Sequence, residues 1–583
     1  MLKLFIYFLL FILVPFNYFS QVNLFDIAVG SNNSHDGILD DILYKRNGDI
    51  IYIKQKGNVF QALKNEYKYT LFYTSNGEVK NVKMYEVSKD NSKLHFQKAL
   101  LLNDQLYIVS TEELDNQISV YIQKFNSQFE SEGEIKLIDT FQDPSGLISK
   151  NQVRIIKSKN TNFFAVVCEL HDDKSKRLGY NYSVHDSTTN LINKGFHQLD
   201  VDIDYLRVNQ HYISDSGVLF TSIINYKRSL SRKVDNLAKK YVKVTSFGLM
   251  PDAGLSQLDH SQELSQVESV YLIQNLGEEE KVFKYSPGNV ILNRHKIVSN
   301  DANVLSLVGT FQKTFDQKII VKSKVKMHGF FHIQINFNDL KITKSNFNDL
   351  TKELLVQGKS EKEKTKLLAK YALSSGKLSL TDYLLKNVFI SEQTGQIYGM
   401  LEETKVYKHS SSNTGVSTSP TNSFGVTNFT GSTNVNTSRH ESATTITKDL
   451  IVFSINKEGN FQWFSKIPKK QNIAPIFRDT YFDEVKGNLT ILFNDNIKNY
   501  ENGQFIYGKK CKKTPGSIKK NVLAKVEFSG SEGKYTRKIL LENKNIDGRF
   551  APHYIGFNVQ KNKFIGLTVK GILDKYVKVF EVK

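Results

Sequence analysis

The chain has 583 residues, a formal net charge of +19, 40% hydrophobic and 12% aromatic residues. That hydrophobic share excludes a disordered chain, 9 prolines exclude long polyproline linkers, and 2 cysteines exclude a disulfide framework. The basic charge points towards anionic partners, or simply to lysines that keep a surface solvated.

Residues 1–20, MLKLFIYFLLFILVPFNYFS, place one early lysine before a continuous apolar and aromatic run that ends in small and polar residues. The run is short for a spanning helix and reads as a secretory signal peptide cut near Ser20–Gln21. No cysteine follows it to take a lipid, and no later segment approaches a membrane span. The mature chain is expected to be soluble, secreted or periplasmic.

From Asn47 onward a two-strand pattern recurs. A strand opened by a turn signal begins at Asn47, Asn103, Asn160, Asp215, Asp301, Gln393, Lys486 and Gln560. A second strand follows each, beginning at Tyr67, Ile118, Leu178, Lys240, Gly329, Leu450, Val522 and Lys575. The clearest copy is LIVFSINKEGNFQWF, where period-two alternation meets an Asn-Lys-Glu-Gly turn and resumes as a strand. About eight units of four short strands predict an all-β fold, a β-propeller of seven or eight four-stranded blades filling 21–583 as one domain. The last unit runs out of chain after three strands, and Leu24–Val29 is a strand without a partner. It is therefore expected to close the ring as the outer strand of the last blade.

Two segments break the rhythm. Near 348–377, LTKELLVQ and EKEKTKLLAKYAL have helical spacing and strong helix formers, which predicts a helical insertion at the ring's edge. Residues 407–448 are dominated by Ser, Thr, Asn and Gly, which predicts a flexible loop or a loose hairpin. Cys168, in FFAVVCEL, reads as buried packing, while Cys511 lies in a lysine-rich loop; a bridge between them stays open.

In a four-stranded blade the second-to-third connections share one face of the ring. The predicted ones are long: His171–Arg177, Tyr226–Lys239, Lys313–His328, Tyr407–Thr447 and Asn494–Lys520. They are also basic, most of all at Lys509, Lys510, Lys512 and Lys513, followed by Lys519 and Lys520. Long loops on a rigid scaffold are where binding usually sits.

Motifs for chemistry are sparse. Asp200, Asp202 and Asp204 would lie about 6.6 Å apart along one strand face, too wide for one ion. His328 and His332 are about 13 Å apart on a strand, which forbids a shared metal. No HExxH, CxxC, GxSxG or phosphate-binding glycine loop occurs, so no cofactor and no metal site are predicted. Arginine is scarce and no nucleic-acid motif is present. The polar run Asn494, Asp495 and Asn496 leaves a buried strand, where its side chains could hold a sugar or cation or tie their own loop as Asx turns.

Trp463, the Ile467-Pro468-Lys469-Lys470-Gln471 segment and Phe493-Asn494-Asp495-Asn496 together resemble a group of secreted bacterial proteins with a Trp, an Ile-Pro-Lys-x-Gln and a Phe-Asn-Asp-Asn segment at similar spacing. The resemblance covers about fifty residues and implies no activity. It implies that Trp463, Lys469, Gln471, Asn494 and Asp495 act together, as a site or as packing between two blades. The favoured expectation is a binding protein whose partner is an anionic glycan, an envelope component or a protein. The alternative is a propeller hydrolase acting on carbohydrate, with acids at the channel mouth.

Overall fold

The computed structural model describes residues 23–26 and 38–582, leaving out 57–67, 143–152, 173–176, 227–266, 314–325, 374–378, 418–433, 544–548, 571–575 and a few stretches of one to three residues. Strands pair antiparallel with their chain neighbours and form seven successive blades, the first six four-stranded and the seventh extended to six strands by the short pair Tyr500–Glu501 and Gln504–Phe505. They span 38–85, 95–142, 153–202, 206–285, 290–349, 383–467 and 481–542, and are called blades 1 to 7. An eighth sheet is built from 549–582, and Asn23–Asp26 pairs antiparallel with its strand Tyr576–Val582. The chain is an all-β propeller, as the repeat predicted.

Burial explains why the second strands read as apolar runs. In blade 3, Phe164, Val166 and Cys168 pack against blade 2 residues including Val109 and Val120. The intervening Ala165 and Val167 pack against Leu219 and Ile223 of blade 4. A strand buried on both faces loses its alternation. Five further clusters of the core likewise join two neighbouring sheets. Between the eighth sheet and blade 1, the Tyr44 hydroxyl donates to the Tyr554 carbonyl and its ring lies against Gly556.

The helical insertion consists of α1, Lys352–Val356, and α2, Glu361–Leu373, between blades 5 and 6. The segment expected as a loop or loose hairpin takes the hairpin form. Ile397–Ser417 and Asn434–Ile455 pair as far as Ser417 and Asn434. One strand was misplaced: the third strand of blade 4 is Val267–Leu276, and the Lys240 segment lies outside the described residues. The expected signal peptide also lies outside them, as do Ile27, Ala28 and Val29 of the expected closing strand. Cys168 and Cys511 are both free thiols, so the open question of a bridge is answered. Among the described residues no helix is long and apolar enough to cross a membrane.

The two faces of the ring differ. The first-to-second turns are short and cross-linked. Lys159 of blade 3 donates to the Ile390 carbonyl at 3.2 Å and pairs with Glu392 of blade 6 at 3.0 Å. Beside it, the Asn160 amide donates to Asp215 at 2.8 Å. The second-to-third connections leave the opposite ends of these strands; among the described residues the longest is that of blade 7, between Asn496 and Asn521.

Candidate functional site

The motif residues converge at the junction of blades 6 and 7, and they are buried there. Trp463 is 8% exposed, Lys469 1%, Asn496 7%, and Gln471, Asn494 and Asp495 are 0% exposed. Lys469, Gln471, Asn494, Asp495 and Asn496, expected to bind a partner, instead turn polar atoms inward onto the protein, with Asn494 Oδ1 left without a hydrogen-bond partner among the described residues, and Trp463 lines the wall of a pocket. Lys469 Nζ bonds Glu402, the Arg478 carbonyl at 3.2 Å and Thr480 Oγ1 at 3.1 Å. Burial pulls the Lys469 ammonium below its ordinary range, and the Glu402 carboxylate opposes that pull. Gln471 pairs its backbone with Thr447 and donates its side-chain amide to the Asn494 carbonyl at 2.6 Å. Asn494 donates to the carbonyls of Phe477 at 2.9 Å and Phe550 at 2.7 Å, which ties blade 7 to the eighth sheet. Asp495 accepts from Arg537, from Tyr500 at 2.7 Å and from Asn499 at 2.8 Å.

This network does one thing at the surface: it fixes the backbone of the lysine loop. Asn496 Nδ2 donates to the Lys513 carbonyl at 2.7 Å. Asn499 accepts from the Lys512 amide at 2.6 Å and donates to the Lys512 carbonyl at 3.1 Å. The Thr514 amide donates to the Lys470 carbonyl at 2.8 Å. The side chains of Lys509, Lys510, Lys512, Lys513, Lys519 and Lys520 are exposed above that anchored backbone. None of them forms an ion pair among the described residues. Burial pushes the half-buried Cys511 thiol between them up to about 12, so it is not a nucleophile at neutral pH.

A pocket of about 740 Å³ lies beside this loop, between α1 and the outer strand of blade 6. Its walls include Thr351, Glu353, Gln357, Trp463, Phe464 and Tyr507. The helix is held in place from three points. Gln357 Oε1 accepts the Lys466 amide at 2.8 Å, Gly358 packs on Pro468, and Lys359 pairs with Asp449 at 2.6 Å. Trp463 is fixed as well, stacked on Phe528 at 5.0 Å with Gly533 against its ring. Tyr507, by contrast, is 56% exposed. Sequence reasoning singled out the tryptophan but missed its companions, because 351–364 and 507 meet it only through tertiary packing.

The remaining candidates stay apart from this region. Asp200 pairs with Arg177 at 2.9 Å on blade 3, and His328 and His332 are buried in blade 5. Among the described residues no group of three or more His, Cys, Asp or Glu is placed to hold a metal ion.

No family model and no curated protein matches the chain. Among solved structures it is similar to the Dos1 propeller, at 8% identity over 96% of this chain and 95% of that one, with a TM-score of 0.39. It is similar to the acylaminoacyl peptidase of Pyrococcus horikoshii at 9% identity over 92% of this chain and 58% of that one, TM-score 0.33. A third likeness is to the β-propeller domain of the Trilobed protease from Pyrococcus furiosus, at 8% identity over 76% and 96%, TM-score 0.30.

Proposed function

We propose that the protein is an exported binding protein that engages an anionic partner, an acidic glycan of the cell envelope in the first place, through the lysine loop of blade 7. The observation that carries this reading is the contrast within 494–520: Asn494, Asp495, Asn496 and Asn499 are buried and bonded to the scaffold, while the lysines stand exposed. Anchoring removes the entropy cost of ordering a loop at the moment of binding. It also keeps like charges close together, which favours a polyanion over scattered single anions.

The hydrolase reading has less support. Glu402, Asp449 and Asp495 are buried, and each is held by Lys or Arg. A general acid or nucleophile for glycoside cleavage has to reach the substrate.

The test is retention of the full chain on immobilised heparin, as a generic acidic glycan, under a salt gradient. A variant with Lys509, Lys510, Lys512 and Lys513 changed to Gln should elute at clearly lower salt, since each lysine near an anionic surface contributes on the order of 1 kcal/mol. Elution of both proteins at the same salt overturns the reading. Export is checked by intact mass: the secreted chain should begin near Gln21.

A further inference from the structure

Lysines explain attraction but not selection among polyanions, and the pocket beside them is built for something other than charge. Its cations are already engaged, Lys359 by Asp449 and Lys364 by Glu361, each at 2.6 Å. Glu353 is exposed on the helical wall and Glu361 is spent on Lys364, so the pocket lining offers a fully anionic ligand no unengaged cation and one facing carboxylate. The opposite wall is aromatic, with Tyr507 exposed and Trp463 and Phe464 behind it. The space of about 740 Å³ falls within the range of ligand pockets, roughly 300–1,000 Å³.

An aromatic wall facing a carboxylate, an amide and the Thr351 hydroxyl suits a ligand with an apolar face and a rim of hydroxyls. Phosphates lack the apolar face, and a hydrophobic peptide side chain lacks the rim. Lys509 and Lys510 follow Tyr507 by two and three residues, so the pocket and the basic loop are continuous.

We propose that this pocket binds one uncharged sugar unit of an acidic glycan, its ring stacked on Tyr507, while neighbouring anionic groups lie on Lys509 and Lys510. The proposal deepens the basic-face reading and rests on it. It makes the pocket the selective element and the lysines the attractive one.

Trp463 is the single tryptophan and lines the pocket, so its emission reports occupancy. The full chain is titrated with tetrasaccharides from hyaluronan and from unsulfated chondroitin, in which every second sugar is uncharged, and separately with tripolyphosphate. At least one tetrasaccharide should shift Trp463 emission, and tripolyphosphate should not. Tyr507→Ala should weaken that binding at least 10-fold with an unchanged melting temperature, because the residue is exposed. Glu353→Ala, on the exposed helix surface, should weaken it several-fold.

The proposal is overturned if no tetrasaccharide moves the emission, if tripolyphosphate moves it equally, or if Tyr507→Ala binds as the parent does. Binding lost in the lysine variant but kept in Tyr507→Ala removes the pocket and leaves the basic face. The reverse pattern removes the basic face and leaves the pocket.

Discussion

His332 shows how a single polar residue can lock two blades. It sits in the third strand of blade 5 with no exposure, facing the Gly459 carbonyl through Nδ1 at 3.0 Å and Ser306 Oγ through Nε2 at 3.0 Å. A neutral ring satisfies both, donating to the carbonyl and accepting from the hydroxyl. Burial lowers its imidazole to about 4, and it does the same to His295 and His185. Between about 6.5 and 4 the unfolded chain takes up protons that the fold refuses. Stability from these groups is therefore complete above pH 6.5 and falls as the pH drops towards 4. For His332 the loss at the acid end is at most roughly 3 kcal/mol. The melting temperature should fall through that window, and His332→Gln should flatten part of the slope while lowering stability at pH 8. An equal slope in parent and variant would show that His332 contributes nothing to it. In the sequence this residue gave only a negative: its spacing from His328 ruled out a shared metal. Its partner on the next blade is 127 positions away, beyond the reach of any local pattern.

At the level of strands and turns, legibility followed burial. Strands buried on both faces, such as FFAVVC in blade 3 and LIVFSI in blade 6, are continuous apolar runs bounded by turn residues, and they were found. The third strand of blade 4 was misplaced because Lys240–Phe247 is as rich in β-branched and aromatic residues as Val267–Leu276, and propensity cannot say which of two candidates the neighbouring strand accepts. Nothing in the sequence marks Gly533, in the last turn of blade 7, as a contact of Trp463. In the structure Gly533 has φ +69°, and a Cβ there would meet the Trp463 ring at 2.6 Å. Gly533→Ala should therefore cost about 2 kcal/mol, combining left-handed strain with a displaced indole. The measurements are the denaturation midpoint and the emission maximum of Trp463. A variant with parental emission and stability would mean that the turn moves aside freely and is no part of the pocket's support.

For the whole molecule, the sequence supplied the circle and hid what the circle does to a motif. Trp463, Lys469 and Asn494 resemble a conspicuous polar and aromatic site when read in a line. Stacking blade 7 on blade 6 turns them inward, and what remains outside is the lysine loop they anchor. The same stacking logic bears on the ends of the chain. Blades 2 to 7 each hide both faces against neighbours, so a sheet lacking one strand exposes both an edge and apolar surface. The pairing of Asn23–Asp26 with Lys578–Glu581 supplies a strand to the eighth sheet, whose apolar Phe564 and Val582 complete the core shared with Tyr481 and Leu492 of blade 7. If that pairing closes the ring, deleting residues 21–30 should lower the melting temperature by on the order of a few degrees. It should also promote self-association through the uncovered edge of Tyr576–Val582. Proteolysis of the variant should begin at the C-terminal sheet, because local opening starts where a neighbour is missing. A deletion variant that melts with the parent and stays monomeric would show that blade-to-blade contacts, including Tyr44 against Tyr554, hold the circle without the N-terminal strand.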